Sequence, residues 1–523
     1  MLENKPYAQH VSKRMLDFCA AATPWSRRLW RLGALLEIDE LIEAAQARHE
    51  SALSEGSLKY FRQSLAPRVR RDLGLGSEAR RGQIITYVNR AFVPKSHDSE
   101  ALTLLNSESR QAYLANWAGA VAGEDVPPEV VARAATSHLL DQGYSSQFIH
   151  KWLTYHIRYR ADQLSLSDLF DEAHSLSLRP KVNYQVLVPV DAMPALPAER
   201  ESCWLSPTET AQWLDEWFPL VQHPRQSGGL LLDIQSRDVY SLQADVKTWL
   251  ERLSSRFRVG TRERLEFHSQ FFMLGEPEPV SYLPGPRRVQ VLSLEKTAEI
   301  FRLRLAPQID AALEILEPLD RGPAVPALAG SWAAIESLLV GPGDADNRVV
   351  AATRMAQIVG CSYVGSELLA LSDAYASSMT DDLARQLRAM RDGKLRASAF
   401  ETALRNDATL NMPALRHMAA LERMKELIAD PAKILPRIVQ QLEDAFRRLY
   451  RQRNLIVHAG RTSSVAMSGT LRTVAPLVGA GIDRIVHASV TEHKDPLMLT
   501  ATTAVRLAQA QQGASELFAE MLG

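Results

Sequence analysis

Apolar positions recur every three to four residues along most of this chain and switch to strict alternation only in its middle third. Over residues 1 to about 175 the helical spacing is broken by short polar stretches; Leu29, Leu32, Leu35 and Leu36 are followed by Leu41, Ile42 and Ala45. Around Leu139 to Ile149 one helix is expected to end on Gly143 and the next to begin with Ser145 as its N-cap. That is a helix-turn-helix outline, read here as a packing hairpin. From about 180 to 305, Val182 to Val188, Leu230 to Ile234 and Arg288 to Leu292 alternate as strands, with helices at Thr208 to Trp217 and Val239 to Phe257. Proline-rich loops, Met193 to Pro197 and Pro277 to Pro286, bound this small α/β module. It carries no phosphate-binding glycine motif and reads as a structural or ligand-sensing unit without chemistry of its own.

Gly322 to Pro326 reads as a linker, after which helical periodicity runs almost to Gly523. The first helix there sets Leu328, Trp332, Ile335 and Leu339 on one face, and further amphipathic segments start near Ser366, Asp381, Pro413, Pro436, Ser468 and Pro496. The expected architecture is mainly α: a helical N-terminal region (1–175), a small α/β module (180–305) and a C-terminal helical bundle (322–523). No period of about 20 to 50 residues recurs, so a repeat solenoid is excluded.

Composition changes this picture little. Sixty basic against sixty-one acidic residues exclude a strongly basic nucleic-acid coat, so any polyanion site must be local. Cys19, Cys203 and Cys361 are too few and too far apart for a disulfide framework or a zinc motif, which points to a reducing cytoplasm. No run of about 18 uncharged apolar residues occurs, and Lys5, His10, Lys13 and Arg14 precede any apolar stretch, so neither a membrane span nor a signal peptide is expected.

Candidate chemistry concentrates in the helix expected from Pro436. Ile438, Leu442, Ala445, Leu449 and Ile456 form one narrow apolar stripe, and Arg453 lies only about 60° from Ile438 on the same wheel. A guanidinium there requires an anionic partner or a solvated cleft in which it meets a ligand. His458 falls about 140° from Arg453 on a straight helix. The two are brought together either by the helix ending near Val457, aided by Gly460, or by a second copy across a dimer axis. From Pro431 to Arg461 there are seven basic residues and two acidic ones, a local net charge of +5 that suits a polyanion.

The run Arg453-Asn454-Leu455-Ile456-Val457-His458 resembles the signature of HEPN domains, helical bundles found in ribonuclease toxins, abortive-infection proteins and RNA-targeting CRISPR effectors. Ser331 to Leu339 is similar to the first helix of large HEPN proteins, over a resemblance of about 200 residues. It implies that Arg453 and His458 are the cleaving pair, with Asn454 orienting the histidine or touching the phosphate. Glu336 is implied as a supporting acid in a buried ion pair with Arg453. Arg447, Arg448, Arg451 and Arg461 become the expected RNA-binding residues. The implied activity is metal-independent endoribonuclease cleavage to 2′,3′-cyclic phosphate ends, with neither cofactor nor metal, in a homodimer. Residues 1–305 would then hold the sensor for a trigger, and the role would be antiviral defence. Where antitoxin-modified members carry a tyrosine two residues after the histidine, this chain has Gly460, so control by adenylylation is not implied. The alternative expectation is a non-catalytic nucleic-acid-binding or adaptor protein that dimerises through the bundle.

The remaining motifs read blandly. Gly341 to Asn347 lacks the spaced ligands and closing glutamate of a calcium loop, and His150 and His156, beside Trp152 and Tyr155, read as packing. Arg68, Arg70, Arg71, Arg80 and Arg81 read as a solvated surface.

Overall fold

Ser54, Ser77 and Ser96 each accept a hydrogen bond from the backbone N–H three residues on, and each opens a helix: Glu55–Arg71, Glu78–Asn89 and His97–Val121. With Pro6–Cys19, Ala34–His49 and Pro128–Asp141 they form the N-terminal helical region. The structure, a computed structural model, describes the chain except residues 1–4, 91–92, 194, 196, 198, 200, 262–263, 283–286, 304, 345–347, 407–409, 413, 513–517 and 522–523. The expected starts and loops at Pro413, Pro194, Leu196, Leu283 to Pro286 and Ala345 to Asn347 therefore lie outside the described residues. The protein is mainly α with one small antiparallel sheet.

Two compact units emerge. The first joins residues 1–141, 153–175 and 287–523; the second holds 142–152 and 176–286. Regions read as separate N- and C-terminal parts thus share one unit. Its centre is Val350–Ser378, whose buried residues lie all around its circumference, as a helix enclosed by others requires. Gly360 lets this helix approach Pro431–Ala459, since a Cβ there would stand 2.9 Å from Val439. Trp332, fully buried with Leu328, Ile335 and Leu339 as the periodicity predicted, packs on Tyr450 with ring centroids 4.9 Å apart. Trp30 of the N-terminal region meets Tyr363 edge-on at 5.4 Å and belongs to this same core. Buried Glu367 accepts hydrogen bonds from Ser26, Arg27 and Arg423, fastening residues far apart in sequence.

Several expected boundaries move. The helix expected from Pro436 begins at Pro431, because Asp430 caps it by accepting from the Lys433 N–H; Pro436 sits inside. Ser366 lies within Val350–Ser378, and the linker at Gly322 is short, since helix resumes at Ala324. Arg288 to Leu292 is not a strand. Arg288 has φ 67°, its N–H and that of Val289 donate to Asp320 Oδ1, and Val289 and Val291 pack against the helical core. Alternation here arises from a loop that dips twice into a core.

The second unit is an antiparallel sheet of β1 (Val182–Ala192), β2 (Trp204–Leu205), β3 (Gly229–Ser236), β4 (Glu266–Phe267), β5 (Gln270–Met273) and β6 (Val280–Ser281), in order β2-β3-β1-β5-β6 with β4 also on β1. β1 and β3 pair from Val182 opposite Ser236 to Pro189 opposite Gly229. Alternate residues supply two cores. Val186, Val188, Leu230 and Ile234 pack with helix Val239–Thr261, whereas Leu187 and Phe272 pack with Leu214 and Phe218 at helix Pro207–Trp217. The Gly143 turn has φ 96°, and Ser145 caps the next helix through Phe148 N–H. Ser145 also donates to buried Asp238 from both backbone and hydroxyl, which anchors the turn within its own unit.

Candidate active site

Helix Pro431–Ala459 carries the candidate residues and is divided lengthwise by its surroundings. Leu442, Ala445 and Leu449 of the predicted stripe are fully buried, with Ile438 and Ile456 partly buried at its ends. The arginines beside this stripe meet carboxylates of the Ala34–His49 helix. Arg448 donates to Glu37 at 2.8 Å and to Glu40 at 3.3 Å, and Arg451 donates to Glu40 from two nitrogens at 3.0 and 2.9 Å. Both guanidiniums are almost wholly buried, and Arg451 lies 3.9 Å above the Phe61 ring. Burial pulls Arg451 below the ordinary guanidinium range against the opposing pull of Glu40.

The pairing extends along the helix. Arg68 bridges Glu37 at 3.0 Å and Asp444 at 2.7 Å. Arg447 binds Glu443 at 2.6 Å while covering Tyr60, and Arg461 binds both oxygens of Glu50 at 2.8 Å. Ser464 donates to Glu43, whose carboxyl burial pushes up.

This corrects the expected RNA-binding set: Arg447, Arg448, Arg451 and Arg461 are occupied by carboxylates instead of forming an open basic patch. Arg448 and Arg451 are buried cations that must be paired, and the Ala34–His49 helix supplies their carboxylates; Arg447 pairs with Glu443 of its own helix and Arg461 with Glu50. The signal was present in Glu37, Glu40 and Glu43, which recur every third residue on a helix otherwise rich in leucine and alanine. Arg68, read as solvated, is likewise in the ion-paired interior. Arg80 binds Glu108, Arg81 donates to the Gly76 carbonyl, and only Arg70 and Arg71 of that cluster are strongly exposed.

Beyond Arg451 the helix leaves this cover. Gly460 takes the left-handed conformation, φ 62°, and the N–H groups of Gly460 and Arg461 both donate to the Leu455 carbonyl, closing the last turn. On that turn the Arg453 Nη1 donates to Asn454 Oδ1 at 3.0 Å and to His458 Nε2 at 2.9 Å. The wheel separates the two residues on a regular helix, and the reach of the arginine side chain closes the gap within one chain. Asn454 is buried and His458 exposed. Arginine has donors only, so in this contact His458 Nε2 is the acceptor. Among the described residues no carboxylate lies within ion-pair reach of Arg453.

Glu336 does not form the expected ion pair with Arg453. Its oxygens accept from Trp332 Nε1 at 2.7 Å and from Arg348 at 2.6 Å. It fixes the indole that packs on Tyr450, three residues before Arg453, so any support it gives is indirect. His156 is buried against Glu172 at 3.2 Å, and among the described residues no group of three metal-ligating side chains occurs. No helix among them is long and apolar enough to cross a membrane. Compared with protein-family models, curated proteins and solved structures, the chain gives no match.

Proposed function

We propose that this protein is a cytoplasmic, metal-independent endoribonuclease of the HEPN type, in which His458 moves the proton and Arg453 holds the phosphate. What carries this reading is the 2.9 Å contact between Arg453 and His458 at an exposed helix end, where the guanidinium meets no carboxylate among the described residues. An RNA phosphate offers Arg453 a stronger, charge-assisted pair of hydrogen bonds than an imidazole does. The guanidinium then leaves Nε2, and the freed lone pair takes the ribose 2′-hydroxyl proton. The 2′-oxygen bonds to the adjacent phosphorus, the bond from phosphorus to the 5′-oxygen breaks, and that oxygen leaves with a proton from solvent. Arg453 balances the charge that builds on the phosphoryl oxygens, and Asn454, accepting from the same guanidinium, keeps it on the His458 side of the helix. A homodimer would set two such helix ends side by side, and antiviral defence is the role the HEPN resemblance implies.

The ion-paired arginines favour a second reading, because a basic face spent on internal carboxylates no longer tracks a polyanion. In that reading the bundle is a scaffold for a non-catalytic binding or adaptor protein. Incubating purified protein with mixed cellular RNA in EDTA and mapping product ends separates the two. Cleavage with cyclic-phosphate ends in wild type, lost in Arg453→Ala and His458→Ala, is the expected outcome. Equal cleavage by all three proteins would place any activity outside this pair, and inert wild type would favour the scaffold.

A further inference from the structure

A cavity in the first unit is lined in part by Gln440, Gln441 and Asp444, about four turns before His458 on the same helix. It measures about 670 Å³ and is walled by the Glu55–Arg71, His97–Val121, Pro128–Asp141 and Pro431–Ala459 helices. That is the size of a small-molecule site. Its walls carry Arg31, Arg71 and Arg133 together with Tyr60 and Trp117.

Four carboxylates line it, each already engaged, and Asp72 accepts from Tyr113 and the Gly74 N–H. Glu37 is bound by Arg68 and Arg448, and Asp444 by Arg68 and Tyr60. Glu129 gives Oε1 to Arg14 at 2.6 Å and Arg423 at 3.1 Å, and Arg133 reaches its other oxygen only at 3.6 Å, a long ion pair. Among the described residues Arg31 makes no hydrogen bond or ion pair; its Nε is shut off from solvent, while the side chain as a whole is partly exposed. Burial and neighbouring Arg68 draw its guanidinium down to about 10 against the opposing pull of Asp444 and Glu37, which still leaves it charged at neutral pH. A half-buried guanidinium with no direct ion pair is a favourable seat for an anionic ligand.

We infer that this cavity binds a small phosphorylated ligand of nucleotide size, with Arg31 and Arg133 gripping phosphate and Arg71 closing over it from the rim. Planar guanidiniums match phosphate oxygens in pairs, and the aromatic lining residues Tyr60 and Trp117 add apolar surface for a base. The wall formed by Gln440, Gln441 and Asp444 belongs to the helix that ends at His458, so the ligand touches the element carrying the candidate active site. The inference stands apart from ribonuclease activity, because binding is measured without RNA.

Titration calorimetry on the full chain with inorganic pyrophosphate, ADP and adenosine tests it. Pyrophosphate and ADP are expected to bind and adenosine not. Arg31→Gln is expected to weaken both phosphate ligands about tenfold to a hundredfold, the usual worth of a charge-assisted contact. Arg71→Ala removes an exposed, unpaired side chain and keeps the test valid if Arg31→Gln does not fold; it is expected to weaken binding several-fold. Absence of pyrophosphate and ADP binding in wild type, or binding unchanged in both variants, would overturn the inference.

Discussion

Arg451 and Arg453 are two residues apart on one helix and live in opposite worlds. Arg451 is buried, doubly hydrogen-bonded to Glu40 and stacked on Phe61; Arg453 faces the open end of the helix with Asn454 and His458. The first guanidinium is neutralised by the fold, and the second keeps its charge available to a ligand. The difference teaches that a basic stretch cannot be read as a binding surface until the carboxylates it meets are known. Charge left unpaired at a solvated edge marks function better than charge density does.

The comparison breaks most severely at Glu40. Glu40→Ala strands Arg451 in the interior and leaves Arg448 with Glu37 alone, and a loss of about 3–5 kcal/mol is expected in urea unfolding. Arg453→Ala, on the other side, is expected to move the same unfolding curve by no more than about 0.5 kcal/mol while cleavage falls about 100-fold or more in a single-turnover assay. Equal destabilisation by the two variants would erase the distinction between the faces.

A half-buried carboxylate with no arginine bonded to it among the described residues sharpens the contrast. Asp72 accepts from Tyr113 and from the Gly74 N–H, and burial raises its pKa to about 6. Because this folded value lies above that of the unfolded chain, the neutral form contributes stability that is complete below about pH 4 and is lost as pH rises through about 6. Wild type should therefore lose about 3 kcal/mol relative to Asp72→Asn across that interval, read from unfolding curves at successive pH values. The smallest effect is expected at Gln452, fully buried with neither amide atom hydrogen-bonded. Gln452→Met removes an unsatisfied polar group at similar volume and should raise stability by about 1 kcal/mol, seen as a higher melting temperature.

Much of the fold was legible because period is a local property. Leu328, Trp332, Ile335 and Leu339 repeat as a helix and are buried as one, and the alternation at Val182 to Val188 is that of β1. Local signals failed where a distant group decided. Asp320 captures the Arg288 and Val289 N–H groups that a strand would have used, and Arg348 and Trp332 take the Glu336 carboxylate assigned to Arg453. Pro436 attracted the helix start, although Asp430, six residues earlier, provides the cap. At the candidate site the residue types stood in the sequence, but the direct Arg453–His458 contact did not, since a helical wheel plots backbone directions and ignores the length of an arginine.

The pairing of Arg451 with Glu40 joins residues 411 positions apart. A ribosome adding about 5–20 residues per second needs roughly 20–80 s to pass from one partner to the other. Throughout that interval the acidic helix exists without its arginines, and its carboxylates keep it solvated and unfinished. The fold is thus sealed late in synthesis, when the basic helix emerges and is claimed by carboxylates already waiting for it, leaving only its final turn uncovered.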